Sequence, residues 1–246
     1  MRIRVEVCTG SVAEVEQASA HGADHVEVCT WLATGGVSPG WGLLAGALQV
    51  ARCPVRVLVR PGPGVFIYNN TDRYMVLQEV ELLAERGVHG VVFGALTAEG
   101  LVDTDLMREV RRTFPTGEVT FHRAIDQAAD MRHAFQQCLD LGVDRVLTSG
   151  GGSTALEGSA QLAWMVREAK GRVQVAAAGG IRPEHVVLLI ERTGVGEVHF
   201  AAQRIVPAAD VAAVALSSAA GAVATVEPDL PKLIGMMNAL TAAGWR

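Results

Sequence analysis

The sequence predicts an α/β fold of the closed (β/α)8 kind, a TIM barrel in one domain, on three observations. Short β-rich runs recur eight times with helical stretches between them. A Gly-(Ala or Val)-(Asp or His) phrase precedes the second, fourth and sixth runs, at Gly22-Ala23-Asp24, Gly87-Val88-His89 and Gly142-Val143-Asp144, as repeated β-α units would produce. No glycine fingerprint follows the first run, which argues against an open dinucleotide-type sheet. Eight units in about 200 residues fall within the usual size range of the barrel.

Taken in order, strands are expected at Ile3–Cys8, His25–Cys29, Val55–Val59, Gly90–Phe93, Glu118–His122, Asp144–Thr148, Val173–Ala178 and Glu197–Phe200. Helical spacing marks Val12–His21, Met75–Arg86, Met131–Leu141 and Pro183–Glu191, several of them ending in glycine as helix C-termini commonly do. All 246 residues are read as one domain, with a barrel core over 3–204 and a C-terminal extension over 207–246. Leu230–Ala243 in that extension is either a closing helix or an oligomer contact.

Charge and cysteine content narrow the function. The net charge is -5 and no dense Lys/Arg cluster occurs, so neither nucleic acid nor an anionic membrane surface is an expected partner. Met1-Arg2-Ile3-Arg4 runs straight into a strand without the apolar stretch of a signal peptide, and the cytoplasm is the expected location. The alanine-rich stretch Val206–Val226 carries Asp210, Ser217 and Ser218 and falls short of the roughly 20 strongly apolar residues that a bilayer requires. Cys8, Cys29, Cys53 and Cys138 lie at wide, irregular intervals, neither a secreted disulfide framework nor a zinc-finger pattern. Cys138, in a helical stretch, reads as core filler.

The chemistry concentrates at strand ends. Glu6-Val7-Cys8 and Glu27-Val28-Cys29 repeat one tripeptide, and period-two alternation sends Val5, Val7, Val26 and Val28 to one face and the glutamates and cysteines to the other. Barrel strands must turn an apolar face to the helices, so Glu6, Cys8, Glu27 and Cys29 are expected inside, at the C-terminal end where this fold builds its sites. The same argument brings Arg60, His122 and His199 to the mouth. Arg60 is expected either to orient an anion or to pair with Glu6 or Glu27 in a buried network. The two thiols are either small core residues or a copper(I) site, since thiolates select soft metals and neighbouring strands lie about 4.8 Å apart. His122, followed by Arg123 and Asp126, is either structural or a general acid-base oriented by a carboxylate. Ser149-Gly150-Gly151-Gly152 and Gly179-Gly180 either present backbone N–H groups to an anion or serve turn geometry alone.

Taken together, these segments resemble the CutC family of copper homeostasis proteins. The resemblance rests on Glu6-Val7-Cys8, on Gly22-Ala23-Asp24 leading into Glu27-Val28-Cys29, on Leu32-Ala33-Thr34-Gly35-Gly36-Val37-Ser38-Pro39 and on Arg60-Pro61. It continues through Val92-Phe93-Gly94-Ala95-Leu96-Thr97, Thr120-Phe121-His122-Arg123-Ala124-Ile125-Asp126, Leu147-Thr148-Ser149-Gly150-Gly151, Glu157-Gly158 and Gly179-Gly180-Ile181. It implies a (β/α)8 barrel, a cytoplasmic location, a homo-oligomer, a role linked to copper and copper ligation by Cys8 and Cys29. Two departures stand out. Gly62-Pro63-Gly64-Val65 replaces a charged pair after Arg60-Pro61, and Phe200-Ala201-Ala202 replaces a serine-containing run after His199.

Two functions follow as expectations. In the first, the protein binds copper(I) through Cys8 and Cys29 and takes part in copper handling, with no organic cofactor. In the second, it is an enzyme acting on a small anionic, sugar- or phosphate-like substrate. Glu6 and Glu27 then serve as acid and base and His122 assists, while Arg60, Arg123, Asp126, Ser149, Gly150, Gly151, Gly179, Gly180 and His199 bind the ligand.

Overall fold

A computed structural model describes residues 2–206 and 225–246. Eight parallel strands close into a barrel in chain order: β1 (Arg4–Thr9), β2 (His25–Val28), β3 (Val55–Leu58), β4 (Gly90–Phe93), β5 (Glu118–Phe121), β6 (Arg145–Thr148), β7 (Gln174–Ala178) and β8 (Glu197–Ala201). Helices α1 (Val12–Ala20), α2 (Trp41–Val50), α3 (Asn70–Glu85), α4 (Thr104–Thr113), α5 (Met131–Asp140), α6 (Ser159–Ala169) and α7 (Val186–Thr193) each follow a strand. The expected barrel is the observed one.

Two helices begin elsewhere than their periodicity suggests. α3 starts at Asn70, five residues before Met75, because Asn69 caps it: its side chain accepts from the N–H of Thr71 and Asp72 while Asp72 accepts from the N–H of Asn69. Such reciprocal caps satisfy donors that no helical carbonyl can reach. α7 starts at Val186, with Pro183 left in the preceding turn.

The recurring helix-to-strand phrase has a mechanical role. Gly22, Gly87 and Gly142 all take positive φ, between 65 and 86°, a left-handed backbone that glycine adopts without a Cβ penalty. The next-but-one residue then stitches neighbouring strands. Asp24 donates its N–H to the Val5 carbonyl and accepts from the Val5 N–H, and Asp144 does the same with Val119.

After β8 the chain forms an antiparallel hairpin of β9 (Gln203–Val206) and β10 (Thr225–Pro228), followed by α8 (Leu230–Ala242). The greater part of the alanine-rich stretch considered as a membrane span, 207–224, lies outside the described residues. No helix among the described residues is long and apolar enough to cross a membrane. α8 buries Leu233, Met236 and Leu240 in the main core and leads back to the bottom of the barrel, where Trp245 accepts from Ile3 N–H. It is therefore the eighth helix of the wrap.

The main core lies between barrel and helices, as the alternation requires: Ile3, Val5, Val7, Val26, Val28, Val55, Val57 and Val59 all belong to it. Inside the barrel, branched aliphatic layers are the norm, yet here the middle is ionic. Arg56 donates to Glu6 (2.6 Å), Glu197 (3.0 Å) and Glu118 (3.0 Å), and Arg145 donates to Glu6 (2.5 Å) and forms an ion pair with Glu197 at 2.8 Å. Arg4 adds a contact to Glu197 at 3.3 Å. Three carboxylates thus meet three guanidinium groups, which offsets the cost of burying them.

Candidate functional site

The register decides what lies above that ionic layer. Glu6 is level with His25 and His199, whereas Cys8 is level with Glu27 and Ala201. Glu6 belongs to the plug, and Cys8, Glu27 and His199 line a cavity of about 340 Å³ at the C-terminal mouth.

The floor is tightly coupled. Cys8 Sγ lies 3.4 Å from Cys29 Sγ and 3.5 Å from Glu27 Oε1. Barrel shear does not separate the thiols, because Cys29 continues the ladder beyond β2 by donating its N–H to the Thr9 carbonyl. Both cysteines are buried in a small inner cluster with Leu58 and Val92. One ligand atom from each of Cys8, Glu27 and His199 lies within 4.8 Å of the other two. His199 Nδ1 also bonds Glu6 Oε1 at 2.8 Å, joining the cavity to the plug.

These environments set the protonation states. The hydrogen bond to Cys29, then burial and the nearby carboxylates, push the Cys8 thiol well above its ordinary range. Burial raises Glu27, with Glu6 adding to the effect, and its Oε2 has no partner among the described residues. Burial would raise Glu6 too, but Arg145 and Arg56 outweigh it and hold Glu6 well below the usual carboxylate range.

His122 stands on the opposite wall. Its Nδ1 accepts from the Ala124 N–H, so in the neutral ring Nε2 carries the proton, and that nitrogen is buried without a partner among the described residues. Burial and the neighbouring Arg60 depress its pKa to about 3. The ring packs against Phe66 at 4.7 Å and needs Gly94, where a Cβ would come within 2.5 Å of Nδ1.

Three expected contacts are replaced by others. Asp126 does not orient His122; its carboxylate accepts from Thr148 Oγ1 (2.5 Å), the N–H groups of Ser149 and Gly151, Ser149 Oγ and Arg123 Nε. Gly150 N–H goes to Thr148 Oγ1. The anion cradled by that glycine loop is thus the protein's own carboxylate. Arg60 pairs with neither Glu6 nor Glu27. Its guanidinium donates to the carbonyls of Thr34 (3.2 Å), Gly36 (2.8 Å) and Gly64 (2.8 Å), clamping the β2 and β3 loops beside the cavity. Glu6 pairs with Arg56 and Arg145 instead, and Glu27 with no arginine among the described residues.

The family can be read from here. The family model of CutC matches residues 3–204, the whole barrel up to the hairpin. The chain belongs to the CutC family. It is 36% identical over 209 residues to a CutC protein of Aliivibrio fischeri strain MJ11, covering 84% of this chain and 85% of that one. It is 40% identical over 204 residues to a CutC protein of Xylella fastidiosa strain Temecula1, covering 83% and 76%. Among solved structures it is similar to CutC of Streptococcus agalactiae, for which a copper-homeostasis role has been suggested. That match has a TM-score of 0.76 at 25% identity and covers 80% of this chain and 98% of that one.

Within this CutC barrel the cavity also holds residues that strand-end reasoning did not reach. Arg182, beyond Gly179-Gly180, and Lys232, in the first turn of α8, both line it. Lys232 Nζ donates to the Ala201 carbonyl at 2.7 Å. Arg145 stood at an inward position of β6 and the alternation rule could have found it. Lys232 left no such signal, since only the fold brings α8 back to the mouth.

Proposed function

We propose that the chain takes part in copper homeostasis by holding copper(I), as cargo, between Cys8 and Cys29 at the floor of the cavity, with His199 and Glu27 as flanking donors. The observation that carries this reading is the pair of buried sulfurs at 3.4 Å beside a carboxylate and an imidazole. Thiolates favour copper(I) over harder ions. Metal–thiolate bonds of about 2.3 Å put two sulfurs of a linear site about 4.6 Å apart, so the pair must open by roughly 1.2 Å. Cys8, Cys29, Cys53 and Cys138 are all free thiols, which suits a cytoplasmic location where thiols stay reduced.

The test is titration of the reduced protein with copper(I) against a competing chelator. Cys8→Ser/Cys29→Ser should weaken binding by about 100-fold or more, equivalent to about 2.7 kcal/mol. The ion must displace a proton from a thiol whose pKa is raised, so wild-type affinity should climb as pH rises through the neutral range. Equal, weak binding by wild type and variant removes the reading.

A separate observation favours a second reading. The cavity is far larger than an ion requires, and Glu27 and His122, which line it, each have a buried polar atom without a partner among the described residues. That combination suits acid-base chemistry on a small molecule, with Glu27 taking and returning a proton and the neutral His122 ring offering a hydrogen bond from Nε2–H. Glu6, held by Arg56, Arg145 and His199, would fix the orientation of His199 in this scheme.

A further inference from the structure

The cavity is asymmetric in charge. At about 340 Å³ it matches the size of small-molecule sites, roughly 300–1,000 Å³. Leu32, Leu58, Phe66, Val92 and Leu147 give it apolar walls. Polar groups then converge from two directions.

On the β7-β8 side stand three cations. Arg123 uses Nε on Asp126 and Nη2 on Ser149 Oγ, which fixes the plane of the guanidinium and leaves Nη1 for another acceptor. Gly179 lies beside it, and the glycine answers to its φ of +99° rather than to Arg123, which a Cβ would meet at 3.5 Å in ordinary contact. Arg182 is exposed and makes no side-chain hydrogen bond or ion pair among the described residues. Lys232 gives one of its three protons to the Ala201 carbonyl. Burial pushes its pKa down, and Arg182 adds to that against the pull of Asp229. Asp126 pairs with Arg123, and Asp229 and Glu184 both act on Lys232, so the protein's own carboxylates offset part of this charge, but none of the three lines the cavity. Deeper in, Glu27 and His122 line the cavity with Oε2 and Nε2–H buried and unpartnered among the described residues, the first able to accept, or to donate when protonated, and the second to donate.

We infer that the cavity binds a small hydroxylated organic anion, its phosphate or carboxylate held by Arg123, Arg182 and Lys232 and its hydroxyl or carbonyl groups meeting Glu27 and His122. This rests on the second reading above, that the cavity takes an organic ligand, and is independent of copper. The glycine loop after β6 is not the anion site, because Asp126 already fills it. The anion lies instead between β7, β8 and α8, so the eighth helix of the wrap supplies a specificity residue.

Calorimetric titration with ribose 5-phosphate, gluconate, inorganic phosphate and neutral ribose tests it, on wild type, Lys232→Met and Arg182→Met. Both substituted side chains sit at the rim, outside the core. Ribose 5-phosphate or gluconate should bind wild type, and each substitution should weaken that binding by about 10- to 100-fold, the worth of a hydrogen bond to a charged group. The organic phosphate should bind more tightly than inorganic phosphate, and ribose should not bind measurably. Binding of ribose as tight as its phosphate, or binding indifferent to both substitutions, overturns the anion subsite while leaving an organic-ligand cavity. Binding of none of the four probes overturns the subsite and the second reading together. Copper(I) affinity in Lys232→Met should match wild type in every case.

Discussion

The barrel interior contains two polar regions made from overlapping residue types, one beneath the other, and they differ in whether each buried group has a partner of opposite charge. In the lower region Glu6, Glu118 and Glu197 meet Arg4, Arg56 and Arg145 in ion pairs that offset the burial of charge, although Arg56 Nε, Arg145 Nε and Glu197 Oε2 make no hydrogen bond among the described residues. In the upper region Glu27 has a bare Oε2, His122 a bare Nε2, and Cys8 a thiol kept protonated by Cys29, burial and nearby carboxylates. A fold gains nothing from leaving buried groups unpaired, each costing about 1–3 kcal/mol. The contrast therefore marks the lower region as structure and the upper one as the place where a ligand completes the bonding.

The sharpest way to break that comparison is to cut the plug. Arg145→Met leaves Glu6 and Glu197 short of one partner in a fully buried site. It should cost about 3–5 kcal/mol in urea denaturation, as removing one member of a buried ion pair does. Arg182→Met, at the cavity rim, should change stability by no more than about 0.5 kcal/mol. Similar effects from both would erase the distinction between plug and cavity.

A smaller effect, of opposite sign, is expected from Glu27→Gln. Burial raises the folded-state pKa of Glu27 above its unfolded value, so its ionisation weakens folding as pH rises through the raised pKa. The variant should gain about 1 kcal/mol over wild type at neutral pH, a gain that disappears in acid. The plug behaves the other way. Glu6 lies well below the ordinary range and Glu118 is drawn down to about 2 by His89 and Arg56 against burial. Their stabilisation is present above the ordinary carboxylate pKa and is lost as pH falls towards 2. Melting curves of wild type and Glu27→Gln across acid and neutral pH should therefore converge while both decline. A Glu27→Gln variant less stable than wild type at neutral pH would mean that Glu27 is already satisfied.

The weakest of these effects concerns the loop after β6. Asp126→Asn removes charge from the acceptor that holds Ser149 and Gly151. It should cost about 1 kcal/mol or less, and speed hydrogen exchange of those two amides without altering exchange in β1. Unchanged exchange at Ser149 and Gly151 would show that the loop holds its shape without that carboxylate.

The amino-acid sequence by itself determined the barrel, because its evidence is local and repeated. Eight β-rich runs, and three glycines two residues before Asp or His, state the same β-α unit over and over, and each reads true in the strands and turns. It also brought Cys8, Glu27, His122 and His199 to one end, since side-chain direction in a strand follows from position alone. Only the tertiary structure decided which polar groups pair. Depth in a sheared barrel depends on the register between strands, which assigned Glu6 to the plug and Glu27 to the cavity although both open the same tripeptide. Partners distant in sequence, such as Arg145 for Glu6 and Asp126 for the Ser149 loop, follow from that closure. So does Lys232 at the mouth, because α8 reaches it only after the chain has passed through the β9–β10 hairpin.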